Sequence, residues 1–186
     1  MKLAVKDRAL GKKSEIKALR RQGSIPAVIY HKEKEGETVA VDKNELQAIL
    51  RHIKSGHLPT TVFELNDSKG KSRKAIVKAI QYNPVNYEII HLDFEELHDK
   101  VPVKVKVPLS IVGEADSVGI KLGGVVRVVI RHVPVECLPK DLPEAFVVDV
   151  TNLNVGQTIR VEDLKIPNTL RPLVRTKEVA VSMVKR

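Results

Sequence analysis

Val103-Lys104-Val105-Lys106-Val107 alternates an aliphatic with a charged residue at every step. Successive side chains of a strand point to opposite faces, so a period of two sets one dry face against a core and leaves one wet. Similar or more buried runs occur at 25–30, 38–41, 61–65, 74–82, 87–94, 125–135, 146–150 and 178–184. The chain therefore reads as mostly β. Asn66-Asp67-Ser68-Lys69-Gly70 supplies turn residues for a hairpin between two of these runs.

Two segments carry helical signals. Asp42 and Glu45 form a capping-box pattern, Leu46, Ile49, Leu50 and Ile53 recur at i, i+3, i+4 and i+7, and Gly56 follows as a stop. In Lys12-Lys13-Ser14-Glu15-Ile16-Lys17-Ala18-Leu19-Arg20-Arg21-Gln22-Gly23, Ser14 is placed to cap a short helix and Gly23 to end it. Lys13, Lys17, Arg20 and Arg21 then share one stripe, and Ile16 and Leu19 remain to dock the opposite side. Composition changes near 95–100. Before it, one or two helices sit on an antiparallel sheet; after it, helix signals vanish and Val, Pro and Gly dominate, which predicts a second, all-β unit.

With 186 residues, 42% of them hydrophobic, the chain can bury a real core. Its formal charge of +9 favours a polyanionic partner. Residues 1–34 hold ten Lys/Arg against three acids, and residues 69–78 hold Lys69, Lys71, Arg73, Lys74 and Lys78 with no acid. Two short segments thus carry more than the whole excess, as a nucleic-acid footprint would, although a solvated lysine-rich surface would also produce the pattern. Four like charges on one helical stripe repel one another, and phosphates would relieve them. A single cysteine, Cys137, excludes an internal disulfide framework and fits a reducing compartment. No apolar run is long enough to span a membrane and no secretory apolar stretch begins the chain, so a soluble cytoplasmic protein is expected.

Catalytic signatures are missing. Gly70-Lys71-Ser72 resembles the end of a P-loop, but Leu65 stands where its first glycine belongs. There is no GxSxG and no HExxH, the histidines and the cysteine have no metal-ligand spacing, and Cys137 sits in an apolar stretch as a structural thiol would. Neither an enzyme, a metal, a cofactor nor a small-molecule substrate is expected. One constellation survives. Ile90, Leu92 and Phe94 define a core face, which places His91 and Asp93 together on the opposite one. The pair could be two thirds of a nucleophilic triad, an exposed pair that only orients the imidazole, or a base-recognition pair in which the carboxylate accepts from exocyclic amines.

Arg8, Gly11-Lys12, Ala18-Leu19-Arg20-Arg21, Gly23 and Ile25-Pro26-Ala27-Val28-Ile29-Tyr30, followed by His91-Leu92-Asp93-Phe94, resemble the bacterial family of 5S rRNA-binding, large-subunit ribosomal proteins numbered twenty-five. Gly123-Gly124-Val125, Val135-Glu136-Cys137-Leu138-Pro139, Asp141-Leu142-Pro143, Val148-Asp149-Val150 and Asp163-Leu164 with Ile166-Pro167 are similar to the extra domain of its longer CTC, or general stress, type. The resemblance implies a β-barrel-like domain over 1–95 that docks on an irregular internal-loop region of 5S rRNA, and an all-β domain over 100–186. By position it carries RNA contacts to Arg8, Gly11, Lys12, Lys13, Arg20, Arg21, Tyr30, His91 and Asp93. Lys17 joins them from the helical stripe, with Lys71, Arg73, Lys74 and Lys78 as secondary contacts. It implies ribosome association, neighbouring ribosomal proteins as further partners, and no membrane. Here His31 stands where many relatives have Gly, and Asp116-Ser117-Val118-Gly119 where a Pro-Gly pair is usual. The other reading is a stress-related binding module for another nucleic acid or an acidic protein.

Overall fold

The computed structural model describes residues 1–8, 11–30, 36–67 and 70–185. The chain divides into two units, Met1–Val101 and Pro102–Arg186.

The first unit is a closed six-stranded barrel. Its strands are β1 (Lys2–Asp7), β2 (Ser24–Tyr30), β3 (Glu37–Asp42), β4 (Val62–Asp67), β5 (Ser72–Tyr82) and β6 (Ile89–Glu96), joined around the wall in the order β1-β3-β2-β6-β5-β4. The sequence predicts an antiparallel sheet and marks every one of these strands but β1; the pairing is mixed, because the first strand closes the wall against β4 and β6 lies beside β2. Four ladders are antiparallel, whereas β1–β4 and β2–β6 are parallel. The alternate residues Leu3, Val5, Ala27, Ile29, Val39, Val41, Phe63, Leu65, Leu92 and Phe94 fill the interior. Phe63 and Phe94 meet edge to face there, 6.1 Å between ring centroids. Each such fully buried large apolar side chain contributes about 1.5–3 kcal/mol.

The helix α2 (Lys43–His52) seals this core with Leu46, while Ile49, Leu50 and Ile53 pack partly buried against it. Asp42 caps it as its sequence predicts, accepting from the amides of Asn44 at 2.8 Å and Glu45 at 3.0 Å. Glu45 does not close the box, because its carboxylate accepts from the Ala4 amide at 3.2 Å. Gly56 is not the stop either, since Ile53 turns extended and ends the helix three residues earlier.

The second unit begins with β7 (Val103–Val112), whose alternation is realised: Val103, Val105 and Val107 are buried, and Lys104 and Lys106 exposed. The run at 125–135 is two strands, β8 (Gly124–Val128) and β9 (His132–Cys137), which belong to different sheets. Between them the Val129 and Ile130 amides both turn to the Ala180 carbonyl. One sheet has the order β10-β7-β9-β12, with β10 (Phe146–Asp149) and β12 (Arg171–Pro172); the other is β11-β13-β8, with β11 (Thr158–Arg160) and β13 (Val179–Lys185). Composition predicts no helix in this unit, yet a short α-helix forms. A four-residue helix, α3 (Val118–Lys121), approaches β13 so closely that a Cβ on Gly119 would lie 2.8 Å from Met183 and 2.6 Å from the Leu153 carbonyl. Cys137 is buried, and that burial, with the charge of Asp141, pushes its thiol above the ordinary range.

Candidate nucleic-acid interface

The basic helix forms as α1 (Lys13–Arg21), but Lys12 rather than Ser14 is its N-cap, and no side chain caps it. Ser14 therefore lies inside the first turn. Glu15 in the first turn and Arg20 and Arg21 in the last complement the helix dipole. Gly23 ends the segment at φ 79, a left-handed conformation that a residue without Cβ adopts freely. Ile16 and Leu19 are half-buried, and Lys13, Lys17, Arg20 and Arg21 stay exposed. Gly11 and Lys12 are exposed too, with the Glu15 carboxylate folded back over Gly11. Arg8, half-buried, continues the edge of β1, its amide donating to the Thr38 carbonyl at 3.0 Å.

Arg20 anchors this ridge to the barrel. Its Nε and Nη2 donate to the Ile90 carbonyl at 3.1 and 2.8 Å, immediately before His91. On the outer wall His91 Nδ1 and Asp93 Oδ1 lie 2.7 Å apart, with their side chains 22% and 20% exposed. The pair is thus more enclosed than an exposed couple on a wet face. Contact at Nδ1 fixes the ring and leaves Nε2 as its other hydrogen-bonding atom. The parallel β2–β6 ladder puts Val28 beside Asp93 and Tyr30 beside Glu95. At ~3.3 Å per residue, the row His91, Asp93, Glu95 with Tyr30 spans roughly 13 Å of strand. Tyr30 is 47% exposed at its far end. The structure therefore brings the α1 ridge, His91–Asp93 and Tyr30 onto one wall.

The second basic segment is employed differently. Arg73 is pinched by three carboxylates: Glu37 at 2.6 Å, and Asp67 and Glu96 each at 3.9 Å. Burial disfavours its charge, but the hydrogen bond it donates to Glu37 and the charges of Glu37, Glu96 and Asp67 outweigh this and raise its pKa above the ordinary value. Lys78 pairs with Glu95 at 2.6 Å, and Lys74 stands in register with Glu64. Lys71 is exposed, and Lys69 lies outside the described residues, as does His31. Within this cluster, Arg73 and Lys78 are engaged by acids from neighbouring strands.

The sequence also places Tyr87 in a strand. Instead β6 begins at Ile89, and Tyr87 occupies a turn at φ 55, the only non-glycine residue with positive φ among those described. Such a conformation costs of order 1–3 kcal/mol outside glycine. Lys43 Nζ grips Glu88 at 2.5 Å, and that contact holds the Glu88 carboxyl below its usual range. Asn83-Pro84 and Asn86 were the available signals for this turn. Among the described residues no group of three or more His, Cys, Asp or Glu is placed to hold a metal, and no helix is long and apolar enough to cross a membrane.

Comparison with known proteins identifies the family of both units. Residues 3–94 match the Ribosomal L25p family, and residues 102–186 match the Ribosomal protein TL5, C-terminal domain. Proteins called large ribosomal subunit protein bL25 are similar over the full 186 residues of both chains, at 44% identity in Chlamydia trachomatis serovar L2 and 42% in Chlamydia muridarum and Chlamydia pneumoniae. The two family matches fall on the two units in turn and the relatives span the whole chain, so the chain belongs to the ribosomal L25p family in its two-domain, CTC-type form.

Proposed function

We propose that the chain is a structural protein of the large ribosomal subunit that binds 5S rRNA at an irregular internal-loop region, in the cytoplasm and on the ribosome. Its relatives carry the large-subunit name along their whole length. The single observation that carries the RNA reading is the double hydrogen bond from Arg20 to the Ile90 carbonyl. It joins a phosphate-seeking ridge to a polar row able to read shape and base edges.

Regular A-form RNA hides its base edges in a deep, narrow groove, so a protein must use backbone shape or a distorted region. Lys12, Lys13, Lys17 and Arg21 supply charge for phosphates and set register, with Arg8 and Gly11 beside them. His91, Asp93 and Tyr30 supply recognition. Asp93 is the informative member. A carboxylate near phosphates is unfavourable unless it orients a cation or accepts a specific hydrogen bond, and here its Oδ1 faces His91. With the full chain titrated against a 5S rRNA transcript and a shuffled RNA of equal length, Asp93→Ala lowers the discrimination between them by about 1–3 kcal/mol. Equal losses on both RNAs would reject the reading role of Asp93.

A further inference from the structure

Among the described residues of the first unit, the loop from Asn83 to Glu88 carries the most exposed large apolar side chains, Val85 at 87% and Tyr87 at 78%. It is firmly built. The Asn83 amide donates to the Glu88 carbonyl and the Tyr87 amide to the Asn83 carbonyl, both at 2.8 Å. Asn83 Oδ1 accepts from Val85 at 3.0 Å and Asn86 Oδ1 from Glu88 at 3.1 Å. Tyr87 is held left-handed at φ 55. A glycine or asparagine would satisfy that turn with less strain, and a ring turned out to water gives the barrel little in return. Strain retained around an exposed aromatic calls for a use outside the chain.

The loop adjoins the basic ridge. Lys43, which holds Glu88, donates its own amide to the Gly23 carbonyl at 2.9 Å, next to the end of α1. Tyr87 is also three residues from Ile90, the carbonyl that Arg20 grips, so their Cα atoms are within roughly 10 Å. Resting on the RNA reading above, we propose that Tyr87 is a further RNA-binding residue, whose ring stacks on an unpaired base or ribose beside the helix. Tyr30 stands beside Glu95 in the β2–β6 ladder, and Tyr87 lies in the turn that leads into β6 at Ile89, so exposed tyrosines flank the strand that carries His91 and Asp93. Cations along α1 favour RNA over an apolar protein pocket as the occupant, because they bring phosphates to the loop's flank.

The chain contains no tryptophan, so Tyr87→Trp introduces a single fluorophore. On titration of that full-length variant with a 5S rRNA transcript, its emission is quenched saturably. Tyr87→Ala weakens binding about tenfold, within the range for loss of one base–aromatic stack. Tyr87→Phe retains affinity, and Tyr87→Gly loses as much as Tyr87→Ala while folding at least as stably as the parent. An unquenched tryptophan with unchanged affinity for Tyr87→Ala, while Arg21→Ala still weakens binding, would overturn the stacking role and leave the RNA reading standing. Unchanged RNA affinity with poorer retention of Tyr87→Ala on purified large subunits would overturn it in favour of a protein neighbour. If the unaltered chain does not prefer the 5S transcript, the RNA reading falls and this inference falls with it.

Discussion

Arg20 and Arg21 are adjacent and equally basic, yet one guanidinium is bound to the Ile90 carbonyl while the other stands exposed on α1. Their replacements should separate fold from binding. Arg20→Ala removes a charge-assisted hydrogen bond and lowers unfolding free energy by about 1 kcal/mol in urea titrations. Arg21→Ala leaves the urea midpoint within about 0.5 kcal/mol of the parent's stability, as surface changes usually do. It reduces the slope of log affinity against log salt by about 0.7–0.9, the signature of one lost phosphate contact. The sequence shows both arginines but cannot show this division, because the Ile90 carbonyl lies seventy residues away along the chain. The same limit explains Arg73 and Lys78. Their segment has no acid of its own, and their partners Glu37, Glu95 and Glu96 arrive from other strands.

At the scale of elements, what is legible depends on whether the determining contacts are local. α2 is readable because its cap, Asp42, and its apolar stripe lie within a dozen residues. Asp42→Ala should cost about 1 kcal/mol, and Asp42→Ser much less, since a serine oxygen can accept from the same amides. Leu46→Ala opens a void over the barrel's end and should cost about 2–5 kcal/mol, measured by the shift in urea midpoint at constant slope. β1 is harder to see. Its pattern rests on Leu3 and Val5 among lysines, and charge draws the eye first. The break between β8 and β9 carries no glycine or proline at 129–131, so periodicity alone joins them. His91 and Asp93 are placed on one face by the period of two, but their degree of enclosure depends on the neighbouring elements.

At the scale of the molecule, the barrel has a core built wholly from residues of the first unit. Residues 1–101 expressed alone should therefore unfold cooperatively in urea and bind the 5S transcript with the affinity of the full chain. A fragment that folds but binds more than about tenfold more weakly, equivalent to ~1.4 kcal/mol, would place part of the RNA surface in the second unit. That unit is net +4 from residue 99 onward, and its charges are spread rather than gathered in one short segment.

Closure of the barrel by its first strand sets an order of events during synthesis. β1 is made before either neighbour: its partner β3 begins at Glu37 and its parallel partner β4 ends at Asp67. At roughly 5–20 residues per second the nascent chain carries β1 unpaired for several seconds. Lys2 and Lys6, flanking Leu3 and Val5, are well suited to that interval, because charges beside a short apolar alternation discourage premature pairing between chains. The stave that completes the wall is thus made before both of its neighbours, with lysines beside its apolar residues until they arrive.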